Sequence, residues 1–360
     1  MTVSNRRVVI TGTGVVSARV ADGGVATVDA RAHFRQPKAL KLTNRTAQFA
    51  VAAASIALAQ GAWPDDDAMA EHLGVIIGVS GSDLQVEDVA RALRSDGAPT
   101  PVSDIPVFAE QILARLNPLW LLVNLPNMPS AHVAIQLGAR GPNSTVMTDW
   151  VAGSQAIGEA ADWIRHGEAD AALAGGSDSL MQPFALAAYH QAGLMATAPD
   201  GEQTFAPSEG AAVLLLEERA HAIARGATVL GEITGYASAS AAIDTHPSAL
   251  VRTMASALHE SGWTPSDVDA IVMASREGSR CRAAEDAAIR ELLGDRASAI
   301  SRADAQVTIG HAAAALGPIG LCQYLNASAS CSRWLSNAMG FSGQAVTLAI
   351  ANTHATEAAR

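Results

Sequence analysis

Three short stretches of the chain carry residues able to do chemistry. In IGHAAAALGPIG (309–320), His311 stands between a glycine and the start of a small-residue helix. An imidazole there can act as a base or hydrogen-bond donor; with no partner visible nearby, a satisfied buried histidine is an equal reading. NAMGFSG (337–343) flanks Phe341 with glycines. Such glycines let a backbone N–H point into a pocket as half of an oxyanion hole, or simply turn the chain into the last strand. The third stretch is GPNSTVMTDW followed by VAGSQAIGEAADW. The first part reads as a strand ending at a turn, and the second as an amphipathic helix with Ala156, Ile157, Ala160, Ala161 and Ile164 at helical spacing. Free N–H groups and the dipole at a helix start stabilise an anion, so enzymes place nucleophiles there. The residue at this turn is Trp150, which has no nucleophilic atom.

Other motifs carry less. TGTGVVS (11–17) offers G-x-G after a strand, but the third glycine is missing and no helix opens there, so the dinucleotide fingerprint fails. The glycine pair of AGGSDS (174–179) reads as a place where one backbone passes close to another, with a pocket lining as the alternative. Ser154 lacks the flanking glycines of a nucleophile elbow. Arg276, Glu277, Arg280 and Arg282 read as a solvated charged loop, with phosphate or carrier-protein contact as the other reading.

These residues must be positioned by strands and helices that alternate along the chain. Strand patterns cover 6–16, 73–81, 144–148, 170–176 and 211–218, and a second set covers 227–239, 268–275, 299–304 and 345–352. Helical patterns fall at 43–60, 151–166, 247–261, 283–293 and 311–328. The alternation predicts an α/β fold with largely parallel sheets. The two sets suggest a duplication, with halves at 1–222 and 223–360 forming one body.

At 360 residues and 49% apolar content, the chain supports a large core. Charged residues make up only 16%, where about a quarter is usual, so either a large surface is covered by a partner or the composition is simply alanine-rich. The net charge of −11 and the lack of any Lys/Arg cluster exclude an electrostatic footprint for nucleic acid. No apolar run approaches a membrane span, no secretory h-region is visible, and three cysteines without CxxC spacing fit a reducing cytoplasm. No metal or cofactor is expected.

Taken in order, the segments RRVVITGTGVVSA, LPNMPSAHVAIQLGARGPNSTV, SQAIGEAADWIRHGEADAALAGGSDS, SEGAAVLLLEE, IGHAAAALG and NAMGFSGQAVTL resemble the β-ketoacyl synthases of the thiolase superfamily over essentially the whole chain. The resemblance implies a five-layered αβαβα fold of two similar halves, dimerised through an edge strand and neighbouring helices. It places the nucleophilic cysteine of an active synthase at Trp150, the first histidine at Ala274 and a lysine at Gln306. His311 corresponds to the second histidine, and Phe341 to the aromatic residue of the G-F-G-G loop. Covalent acyl transfer needs a thiolate, and a catalytic unit that loses several members keeps little of its rate.

Within that family the pattern resembles the chain-length factors, or ketosynthase β subunits, of type II polyketide synthases. Those commonly carry glutamine where this chain has Trp150. The resemblance implies a heterodimer with a catalytic ketosynthase α subunit, an acyl carrier protein as further partner, and a channel whose length large side chains set. Phe108, Ile112 and Leu116 fall four residues apart on one helical face, and Trp120 lies at a pocket-lining position. They are channel residues under this reading, or plain core. Trp150 would fill the vacated acyl pocket. Two alternatives remain: a stand-alone acyltransferase with a displaced nucleophile such as Ser154 or Cys322, and a structural or carrier-binding homodimer.

Overall fold

Successive side chains of the strands point to opposite faces, and both faces of the central strands are buried, which sorts them into three apolar layers. The computed structural model describes residues 6–352 except 82, 84, 96–97, 100–104, 114, 196–204, 243–245, 277–278 and 328–332, and it gives no side chains for 94–95, 98–99, 107–108, 111–112, 246 and 280. The strands of the main sheet are β1 (Val8–Ser17), β2 (Leu73–Gly78), β3 (Asn143–Val146), β4 (Ala171–Ser179), β5 (Glu209–Glu218), β6 (Gly231–Ser240), β7 (Ala270–Val272), β8 (Ser301–Ala303), β9 (Arg333–Met339) and β10 (Gln344–Asn352). Their order across the sheet is β8-β7-β9-β10-β6-β1-β5-β4-β2-β3. Counted outward from the centre, both halves run first, fifth, fourth, second, third. The inner pairs are antiparallel and the outer pairs parallel in each half. The halves meet where β1 pairs with β6 over three residues, Val8 with Ile233, Val9 with Glu232 and Ile10 with Gly231.

Helices complete the layers. On one outer face, α1 (Arg45–Gln60), capped by the Asn44 side chain on the Ala47 N–H, sets Phe49, Val51 and Ala54 against Val75, Ile77, Val213 and Leu215. Its approach is close because β1 carries glycines. A Cβ on Gly14 would stand 1.9 Å from the Ala53 carbonyl oxygen, which gives the TGTG stretch a packing role. Between the two halves lie α2 (Ala152–His166) and α3 (Leu316–Ala327). Ile157, Ile164, Ile319 and Cys322 from these helices pack with Val8, Ile10 and Leu214 of one half and with Ile233, Trp334 and Ile350 of the other. On the far face, α4 (His246–Ser261) and α5 (Arg280–Leu293) bring Leu250, Met254 and Ile289 onto Ile271, Leu335 and Ala349. The result is a five-layered αβαβα arrangement in which the β1–β6 pairing joins the two β layers into one mixed sheet.

Four features differ from the sequence expectations. The sheet is mixed rather than largely parallel, because the five central pairings, β4-β5, β5-β1, β1-β6, β6-β10 and β10-β9, are antiparallel. The strand β9 was not expected, because the buried polar Ser336 and Asn337 interrupt its apolar run. The helix read from 311 starts at Leu316, after a tight turn at Ala313–Ala315 in which Ala313 has φ 45°. The face proposed for Phe108, Ile112 and Leu116 is not one helical face. A single α-turn (Ile105–Phe108) widens into a π-turn (Ala109–Leu113), and Leu116 lies beyond it in a bend ahead of Asn117-Pro118. A residue preceding proline is driven out of the helical region, which favours ending the helix before it.

Candidate functional site

Trp150 sits where β3 hands over to α2, at the start of the middle layer. The chain enters through Asp149, whose φ of 59° is uncommon for a residue with a side chain and best tolerated by Asn and Asp. A single 3-10 turn, Asp149–Val151, then runs straight into α2. The Trp150 indole is 8% exposed and packs on Leu180, Phe205 and Ala313. Its Nε1–H donates to the Tyr189 hydroxyl at 3.2 Å. Its ring centre lies 6.0 Å from Phe205, 5.8 Å from Phe341 and 4.2 Å from His311, the last nearly edge-on at 63°. These distances place it in a continuous aromatic cluster.

His311 is fixed by its backbone as well as its ring. Its N–H donates to the Ala206 carbonyl at 2.7 Å and its own carbonyl accepts from the Ser208 N–H at 3.0 Å. Nδ1 accepts the Ala313 N–H at 3.2 Å, so the proton of the neutral ring resides on Nε2. Burial pulls its pKa down to about 3. At neutral pH the ring is therefore an uncharged donor.

Gln306 and Ala274 close the other side. Gln306 opens a one-turn helix, and its Nε2 donates to the Ala274 carbonyl at 2.8 Å. The Ala274 N–H (2.9 Å), the Ser275 N–H (3.0 Å) and the Ser275 hydroxyl all donate to the carboxylate of Glu285 from α5. The side-chain amide of Asn337 on β9 also donates to Glu285, at 3.3 Å. Burial pushes the Glu285 pKa up, and these donors oppose the rise. Trp150, Ala274, Gln306 and His311 thus come together around a cavity of about 40 Å³, with a second of about 10 Å³ beside Trp150 and Leu316. That is room for about one water, far below the several hundred Å³ of usual ligand pockets.

Of the two residues considered as displaced nucleophiles, Ser154 is buried in α2 and Cys322 is fully buried in α3. Burial pushes the Cys322 thiol up to about 12, so it is not a thiolate at neutral pH. Phe341 is half exposed beside Trp150. Its backbone N–H donates to Asp149 Oδ2 at 2.8 Å. Trp120 and Leu116 lie apart from this cluster. The Trp120 Nε1–H donates to the Gln85 carbonyl at 2.8 Å, and Leu116 borders a surface cleft with Asp88 and Arg91. The side chains of Phe108 and Ile112 lie outside the described residues. No cluster of three His, Cys, Asp or Glu side chains able to hold a metal occurs among the described residues. No helix among them is long and apolar enough to cross a membrane.

Sequence reasoning missed Asp149, Tyr189, Phe205 and Glu285 as members of the site. It also left Asp178 without a charge-bearing role. This residue is fully buried on β4, accepts the Ser80 N–H at 2.7 Å and the Ala314 N–H at 3.2 Å, and is pushed by burial up to about 7. Only Asp149 had a signal to offer, its adjacency to Trp150.

Residues 5–222 match the family described as β-ketoacyl synthase, N-terminal domain. The chain belongs to the β-ketoacyl synthase family. A 3-oxoacyl-[acyl-carrier-protein] synthase 2 from Rhizobium meliloti (strain 1021) is 30% identical over 317 residues, covering 83% of this chain and 71% of the relative. The protein of the same name from Synechocystis sp. (strain ATCC 27184 / PCC 6803 / Kazusa) is 30% identical over 307 residues, 80% of this chain and 70% of the relative. Among solved structures, the ishigamide ketosynthase/chain length factor superposes with a TM-score of 0.80 at 22% identity, covering 96% of this chain and 99% of its own. A type II PKS acyl-carrier protein in complex with its ketosynthase bound to the hexaketide gives 0.78 at 23%, covering 97% and 100%. At these identities the structural likeness establishes the β-ketoacyl synthase fold.

Proposed function

We propose that this chain is a non-catalytic chain-length factor, the ketosynthase β half of a type II polyketide synthase. In this reading it pairs with an active β-ketoacyl synthase and shapes the channel that receives the chain growing on an acyl carrier protein. The observation that carries the reading is Trp150, an unreactive and buried ring at the helix start where covalent acyl transfer needs a thiolate. The direct bond between Gln306 and Ala274 supports it, since neither side chain can serve as acid or base.

A partner surface is available. β3 is the end strand of the sheet, flanked by exposed Ile135 and Met147, and it leads into the site turn. Large apolar side chains beside an open strand edge favour an obligate interface. The neighbouring structures, one described as a ketosynthase/chain length factor and one as a ketosynthase with its carrier protein, support the same assembly.

Co-expression with a ketosynthase from the same source, followed by native mass measurement, tests the reading. The expected result is a one-to-one complex whose acyl label resides entirely on the ketosynthase. A stable homodimer that ignores the ketosynthase, or an acyl adduct on this chain, would overturn it. The reading of Ser154 or Cys322 as a displaced nucleophile is disfavoured by the burial of both.

A further inference from the structure

The turn before α2 holds an anion-binding arrangement that is already filled from within. The Asp149 carboxylate accepts the Phe341 N–H at 2.8 Å, and the N–H groups of Ser342 and Trp150 and the Ser342 side chain lie around it and favour its charged form against the rise that burial imposes. Successive backbone N–H groups converging on one point form a nest for an anion, and a helix start adds its dipole. Two other observations indicate that the chain is shaped around this contact. Asp149 holds φ 59°, the conformation that turns its side chain back toward the 340–343 loop. A Cβ on Gly340 would come 3.2 Å from Asp149 Oδ2 and 2.8 Å from Gln344 Oε1, so the loop runs close against the carboxylate.

We infer that the Asp149 carboxylate is a built-in ligand of this nest, occupying the place that a carboxylate or thioester oxyanion would otherwise take. The Trp150 indole fills the space beside the helix start, while Asp149 takes the Phe341 N–H. Together they close the site sterically and electrostatically, and Asp149 ties the 340–343 loop of one half to the α2 start of the other. The inference rests on reading the site as non-catalytic, but its test needs no ketosynthase partner. A failure to form the heterodimer would leave it standing.

The test uses Asp149→Gly and Asp149→Asn in the full chain, with thermal unfolding in sodium formate against sodium chloride at equal ionic strength. Glycine removes the carboxylate and keeps the left-handed turn unstrained; asparagine keeps one acceptor oxygen in the same place. Asp149→Gly should melt several degrees below the parent and recover at least half of that loss in formate beyond any effect of chloride. The parent and Asp149→Asn should show no formate-specific rise, because their nests are occupied. If Asp149→Gly does not fold in chloride, refolding in formate supports the inference and failure to refold overturns it. A formate response in the parent equal to that of Asp149→Gly, or none in Asp149→Gly, also overturns it.

Discussion

The side-chain amide of Gln306 and the carbonyl of Ala274 are joined by a direct 2.8 Å hydrogen bond across the mouth of the site. Under the proposed correspondence of these positions to the first histidine and the lysine of an active synthase, both are spent on each other. A thiol introduced at position 150 would find His311 neutral, with Nδ1 engaged by the Ala313 N–H. Trp150→Cys should therefore leave condensation at background in an assay with acyl and malonyl carrier thioesters. Product at tenfold above background would mean that the site is one residue from activity.

Removing the indole should be costly to the fold. Trp150→Ala vacates the centre of a cluster with Leu180, Phe205 and Ala313, and a buried Trp→Ala change costs about 3–5 kcal/mol. Trp150→Phe keeps much of the ring packing and loses the bond to Tyr189, so it should cost less than half as much. Chemical denaturation of both variants checks the ratio.

His311 and Asp178 pull the pH dependence of stability in opposite directions. As pH falls from about 6.5 toward about 3, the unfolded chain gains a proton that buried His311 refuses, so stability is lost on acidification. As pH rises from 3.8 to about 7, the unfolded chain releases a proton that buried Asp178 retains, so stability is lost on alkalinisation. Between pH 4 and 7, Asp178→Asn should make stability rise more steeply with pH than in the parent, and His311→Phe should flatten or reverse the rise. Denaturant midpoints across that range provide the reading.

Cys322 should resist alkylation. Its thiol is fully enclosed and protonated, so iodoacetamide at pH 8 should leave it unmodified over a time that labels the unfolded protein completely. Peptide mass mapping reports the site. Rapid labelling of Cys322 in the native chain would revive it as a displaced nucleophile.

If the chain sets product length, the region from 107 to 130 should control it. Trp120→Ala and Phe108→Ala in the complex with a catalytic ketosynthase should each shift the product by at least one two-carbon unit. Unchanged products from both, in a complex of unchanged mass, would remove the steric-ruler role.

The alternation of strands and helices was legible because buried strands read as short apolar runs, and the long helices keep a 3.6-residue period that survives in residues such as Ile157 and Ile164. β9 was hidden because Asn337 and Ser336 face the interior; Asn337 bonds to Thr347 and Glu285, a long-range satisfaction with no local trace. Trp150, Ala274, Gln306 and His311 could be assigned to one site because ordered motifs surround them. Asp149 could not. Its role depends on a φ of 59° and on a loop almost two hundred residues away, and neither is encoded in the spacing of its neighbours. The expectation for Leu116 failed for a local reason, since Pro118 follows too soon for the helix to continue.

The carbonyl of Ala314 lies where a Cβ on either Gly153 or Gly176 would come within 2.1 Å of it, so three backbones from the two halves meet with no side chain between them. A methyl group at either position would have to push the two halves apart. Gly153→Ala or Gly176→Ala would thus act on the junction between the halves rather than on any one side chain of the site.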